Sequence, residues 1–146
     1  MQGAPAKLSI LVIESNPDHA RLIETALTQN ASQRQVISVV DGTQAINFLR
    51  RREAYQDVGR PDLILLDLNL PGQDGKEILT EIKTDSQLKR IPIVVLTTSD
   101  REEDILKAYS LQGNCYVIKS SDLEQLFQIV KRIEEFWLKI VTLPVE

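Results

Sequence analysis

Leu63-Ile64-Leu65-Leu66-Asp67-Leu68-Asn69-Leu70-Pro71-Gly72 sets four aliphatic residues against an aspartate and follows them with a proline–glycine pair. A continuous apolar run is how a strand covered on both faces reads, and Pro-Gly marks a turn. Outward from it, similar runs begin at Leu8, Val36, Ile91 and Cys115, so that successive runs start 28, 27, 28 and 24 residues apart. Each interval leaves room for one helix. Asn16-Pro17-Asp18 supplies an N-cap, a proline suited to the first helical position and an acid favoured by the helix dipole, ahead of Ile23, Ala26 and Leu27. A second helix is expected after Asp41-Gly42-Thr43, burying Ala45, Ile46 and Leu49, and a third from Asp74-Gly75 with Ile78, Leu79 and Ile82 inward. A fourth is expected from Glu102 through Ile105, Leu106 and Tyr109 to a stop at Gly113, and a fifth after Ser120-Ser121. This alternation predicts an α/β domain, a doubly wound five-stranded parallel sheet with helices on both faces.

The 146 residues are 42% hydrophobic and 26% charged, the balance of one globular domain. Residues 1–6 read as a flexible tail and 7–146 as the domain. A net charge of −4 argues against a nucleic-acid backbone binder, and the one basic run, Arg50-Arg51-Arg52, reads as a solvated helix end. A single cysteine, Cys115, excludes an intrachain disulfide or Cys-rich zinc site and suits a reducing cytosol. No apolar run approaches the roughly 18 residues of a membrane span. Met1 to Ala6 is too short and polar for a secretory signal, so the cytoplasm is the expected compartment.

Open parallel sheets gather their chemistry at the carboxyl ends of the strands, near the point where strand order reverses. The runs here end in Ile13-Glu14-Ser15, Leu66-Asp67-Leu68-Asn69, Leu96-Thr97-Thr98-Ser99 and Ile118-Lys119-Ser120. With strand order 2-1-3-4-5, Glu14 and Asp67 lie on neighbouring strands, and Thr97 and Lys119 approach from the other side. A carboxylate can accept a phosphoryl group in line. A hard cation on carboxylate and carbonyl oxygens, a Lys ammonium and a Thr hydroxyl can then hold the phosphoryl oxygens. Singly, each residue is an ordinary loop charge or strand end. Together, at four strand ends, they make a coherent set.

With these residues the chain resembles the receiver domain of two-component response regulators, of flavodoxin-like fold, over nearly its whole length. Asp67 to Gly72 is similar to the segment around the family's phosphoacceptor, Thr97 matches its Ser/Thr, Lys119 its lysine and Tyr116 its switch aromatic. Ile133 to Leu138 and Val141 to Pro144 are similar to the end of cyanobacterial phytochrome response regulators. The resemblance implies phosphorylation of Asp67 by a histidine kinase, a phytochrome, and Mg2+ on Glu14, Asp67 and the Asn69 carbonyl. It implies no enzyme beyond self-catalysed phosphotransfer and dephosphorylation. Two positions depart from the family. Ser15 stands where a second acid is usual, which implies weaker Mg2+ binding and less crowding around Asp67. Ser120 follows the lysine where proline is usual, so a cis bond there is not expected. Asp18 reads as a helix-start acid and His19, the only histidine, as a helix-surface residue.

Leu123, Leu126, Val130, Ile133, Trp137 and Ile140 fall in steps of 3, 4, 3, 4 and 3, one stripe of a helix. From Asp122 to Ile140 such a helix spans roughly 28 Å, longer than a typical strand of about 17–20 Å. Phe127, Phe136 and Trp137 at its overhanging end are expected to form a homodimer or kinase contact, with the Val141 to Glu146 tail across the partner. With no output domain after it, the receiver is expected to stand alone and signal through protein contacts. The alternative is a degenerate receiver that binds partners constitutively without phosphorylation. An aspartate-nucleophile phosphatase would need Asp-x-Asp where this chain has Asp67-Leu68-Asn69, and a flavin binder would need a hydroxyl- and glycine-rich loop after Ile13.

Overall fold

The computed structural model describes residues 8–29 and 33–144. The expected tail at residues 1–6 lies outside them. The main sheet comprises β1 (Leu8–Ile13), β2 (Arg34–Val39), β3 (Leu63–Leu66), β4 (Ile93–Thr97) and β5 (Cys115–Ile118). The helices are α1 (Pro17–Thr28), α2 (Gly42–Leu49), α3 (Gly75–Thr84), α4 (Glu102–Ser110) and α5 (Leu123–Glu134). All pairings in the sheet are parallel and its order is β2-β1-β3-β4-β5, the order expected with the flavodoxin-like resemblance. β4 starts at Ile93 rather than Ile91, because the Ile91 N–H is spent on the Leu88 carbonyl at 3.0 Å and Pro92 has no N–H.

Alternate residues of each inner strand feed opposite faces. Leu11, Ile13, Ile64, Leu66 and Val95 pack with α2 and α3 through Ala45, Phe48, Ile78 and Ile82. Ile10, Val12, Leu63, Leu65 and Val94 pack with α1 and α5 through Ile23, Leu27, Leu126 and Val130. The reading of runs as strands covered on both faces holds for β1, β3 and β4. It fails for β2 and β5, which lie at the sheet edges and are only partly covered; Ile118 is 44% exposed.

Two helices depart from expectation. Only Ala108 of α4 is buried, while Leu106 and Tyr109 face outward, 63% and 50% exposed. A helix beside an edge strand has less sheet to cover, so its buried face narrows to the smallest residue. The C-terminal stripe fails at Leu123, 48% exposed, and holds through Leu126, Val130 and Ile133, but from Glu135 to Ile140 the winding widens to a π-helix. A wider turn rotates each residue by less than the α step, so the stripe drifts off its face and Ile140 ends 66% exposed. Among the described residues no helix is long and apolar enough to cross a membrane.

Candidate functional site

Strand register brings the expected residues together. Ile13 pairs with Leu66 and Thr97 with Ile118, so Glu14, Asp67 and Lys119 leave the sheet side by side. Backbone bonds continue the ladder past the strands, from Asp67 N–H to the Ile13 carbonyl at 3.0 Å and from Lys119 N–H to the Thr97 carbonyl at 2.7 Å. Beyond Asp67, Asn69–Leu70 and Gln73–Asp74 form a small antiparallel hairpin around Pro71-Gly72, where Gly72 takes a left-handed φ of 72°. Gly75 then starts α3 against the backbone of Asp67 and Leu68; a Cβ there would sit 2.5 Å from the Leu68 Cα. Glycine is required for this approach.

Lys119 Nζ lies 2.6 Å from Glu14 Oε1 and 2.8 Å from Asp67 Oδ2, with all three side chains buried. The Thr97 hydroxyl donates to Asp67 Oδ1 at 2.9 Å, and the same oxygen accepts from the Asn69 N–H at 2.9 Å. The Asn69 amide nitrogen is 3.3 Å from the Thr97 hydroxyl. Burial pushes the Glu14 carboxyl above its ordinary value, and the charge of Asp67 adds to this; Lys119 and the Asn16 N–H oppose it without cancelling it. Two carboxylates share one ammonium, so the cluster carries surplus negative charge.

Among the described residues no group of three or more His, Cys, Asp or Glu side chains is arranged to hold a metal ion. The donors present nonetheless suit a magnesium-type cation, which binds through one or two carboxylates and keeps several waters. Glu14, Asp67 and the Asn69 carbonyl are the oxygens available. Ser15, half-buried, turns its hydroxyl toward that carbonyl at 3.4 Å, where an acid would add charge.

Residues 10–131 match the model of the response regulator receiver domain. The chain belongs to that family. This receiver is 48% identical to the response regulator Rcp1 of Synechocystis sp., over 98% of this chain and 97% of that protein. Among solved structures, the phosphorylated cyanobacterial phytochrome response regulator RcpA is 53% identical with a TM-score of 0.92, over 96% of this chain and all of that one. The Mn2+-bound form of Rcp1 is 47% identical with a TM-score of 0.89, over 94% of this chain and 99% of that one.

The receiver places Tyr116 half-buried on β5, where its hydroxyl donates to the Ser99 carbonyl at 2.9 Å and burial pushes its pKa up. The loop that it meets is tied further: Ser99 donates to Asp104 at 2.6 Å, and Lys76 donates to Asp104 at 2.7 Å. These partners, Lys76 first, hold the Asp104 carboxyl below its ordinary value. No sequence signal singled this network out, because α3 and α4 meet only in the fold. The three C-terminal aromatics divide. Phe127 and Trp137 are half-buried against the α1–α5 side of the core, whereas Phe136 is 50% exposed, edge-on to Trp137.

His19 corrects the sequence reading. It is half-buried, with Nδ1 2.9 Å from Lys119 Nζ. Its position in the first turn of α1, three residues past the Asn16 cap, was the available signal. Asp18 stays exposed at that helix start, and Asn16 caps as expected, accepting from Asp18 N–H at 2.9 Å. No peptide bond among the described residues is cis, Ser120 included.

Proposed function

We propose that this receiver accepts a phosphoryl group on Asp67 from the phosphohistidine of a histidine kinase, a phytochrome by kinship, in the cytoplasm. The supporting observation is the pair of donors already on Asp67: Lys119 at one carboxylate oxygen and the Thr97 hydroxyl at the other. A carboxylate oxygen attacks phosphorus, the phosphorus–nitrogen bond breaks, and the imidazole leaves with its electron pair. The donors of Lys119 and Thr97 pass to the phosphoryl oxygens. Glu14, Asp67 and the Asn69 carbonyl would hold a divalent cation, which offsets phosphoryl charge; the neutral Ser15 makes that binding weak. That RcpA was crystallised phosphorylated and Rcp1 with Mn2+ supports the reading.

When Thr97 turns to the phosphoryl group, the loop from Thr98 to Arg101 moves with it, and Tyr116, now bonded to the Ser99 carbonyl, exchanges that partner. Output follows if the phosphoryl group binds one arrangement of this loop better than the other. The receiver signals through protein contacts and works as a homodimer through the C-terminal region, with Phe136 the exposed contact, Trp137 edge-on to it and Phe127 half-buried against the core.

A second reading, a degenerate receiver with constitutive contacts, is favoured by Ser15. Intact-protein mass spectrometry after incubation with a small phosphodonor, with and without Mg2+, separates the two. One added phosphoryl group, dependent on Mg2+ and absent in Asp67→Asn, is expected. Equal uptake by Asp67→Asn overturns the acceptor, and no uptake even from a kinase favours the second reading.

A further inference from the structure

The other end of the sheet carries a feature that phosphorylation of Asp67 does not use. A cavity of about 720 Å³ lies beside the amino ends of β3 and β4, lined by Arg50, Arg51, Arg52, Arg60, Arg90 and Asp85 among others. Five arginines and one aspartate stand among the residues that line it, in a protein whose net charge is −4. A helix C-terminus favours a nearby cation, which accounts for part of the run after α2. It does not account for Arg60 and Arg90, which come from the segments before β3 and β4. Arg50 is engaged by Asp85 at 3.0 Å and Glu81 at 3.6 Å. Among the described residues no ion pair engages Arg51, Arg52 or Arg90.

The backbone adds a second observation. Arg51 holds a left-handed φ of 56°, a conformation that favours glycine or asparagine after a helix. Its N–H bonds the Phe48 carbonyl at 3.1 Å and that of Arg52 bonds the Asn47 carbonyl at 2.8 Å, so the backbone of both lining arginines is held to the end of α2. Strain of this kind persists where the surroundings over-determine it, and it collects at binding sites.

We propose that this cavity binds a small molecule bearing two adjacent phosphates. Guanidiniums match phosphate oxygens two bonds at a time, and the volume lies in the range of small-molecule sites. A diphosphate packs more negative charge into such a space than peptide carboxylates can. A nucleic acid would bring its charge against the acidic remainder of the surface. The phosphates belong either to free inorganic diphosphate or to a nucleoside diphosphate, and the two sources differ only in what lies beyond them.

The test is calorimetric titration of the full chain with inorganic pyrophosphate and, separately, with ADP, without divalent metal, alongside amide chemical-shift mapping. Saturable one-to-one binding is expected, with shifts at Arg51, Arg52 and Arg90. Equal affinities mean that phosphates alone are read; tighter ADP binding means that the nucleoside also contributes. Arg51→Gly relieves the backbone and removes the guanidinium, so it should weaken binding at least tenfold without lowering the melting temperature. No saturation at millimolar pyrophosphate, unchanged binding by Arg51→Gly, or tighter binding of an oligoglutamate peptide or a DNA duplex would overturn the proposal.

Discussion

At the carboxyl ends of the strands, two buried carboxylates, Glu14 and Asp67, share the one ammonium of Lys119. At the opposite end one buried carboxylate, Glu134 at the close of α5, is bound by two cations, Lys131 at 2.8 Å and Arg34 at the start of β2. Burial raises the carboxyl pKa in both places. At Glu14 it wins, and at Glu134 the two cations outweigh it and hold the carboxyl below its ordinary value. The same cost of burying charge therefore gives two outcomes. A cluster short of positive charge leaves a carboxyl that resists ionisation; a cluster with enough of it ties helix to sheet. Buried charge alone does not mark a functional site.

The largest effect that would break this contrast is expected at the fastening. Glu134→Ala leaves Arg34 with only the Leu27 carbonyl, at 3.0 Å, and should cost about 3 kcal/mol in denaturant unfolding. A loss below about 1 kcal/mol, the range of surface pairs, would mean that Glu134 fastens nothing. Because its folded pKa is lowered, the Glu134 contribution is present above pH 4.5 and is lost as pH falls through the folded value.

At the strand ends, Lys119→Ala should slow phosphoryl uptake about 100-fold, the scale for losing one donor to developing charge. Stopped-flow or mass-spectrometric rates within threefold of the parent would remove Lys119 from the chemistry. Ser15→Asp deepens the charge deficit and should tighten Mg2+ binding about tenfold, read by titration; each tenfold is about 1.4 kcal/mol. Unchanged affinity would show that the metal-binding oxygens lie elsewhere.

The smallest effect has the opposite sign. Glu14→Gln should raise stability at neutral pH by about 1 kcal/mol, the usual size of a single-substitution effect. A raised folded pKa means that Glu14 contributes fully below pH 4.5 and that this contribution is lost as pH rises through the folded value. The advantage of Glu14→Gln should therefore open above pH 4.5 and close below it. Chemical denaturation across that range checks it, and an advantage independent of pH would assign it to packing.

Much of the site was legible because its residues terminate apolar runs. Asp67 follows and Thr97 ends a strand buried along its length, Lys119 follows the partly covered edge strand, and the parallel sheet then places them together. His19 was not legible, because contact with Lys119 depends on the angle at which α1 leaves its cap. Nor was the outward turn of Leu106 and Tyr109, since their spacing suits an inward face equally well.

By itself the sequence determined the five strands of the main sheet, the helices between them and the chemical groups at the strand ends, because the period of an apolar run and the caps around it are local properties. The tertiary structure alone decided the charge balance of each buried cluster, the tie between Tyr116 and Ser99, the half-burial of Phe127 and Trp137 and the gathering of five arginines around one cavity. Each depends on the distance between segments far apart in the chain. Packing sets that distance, and no local pattern of residues encodes it.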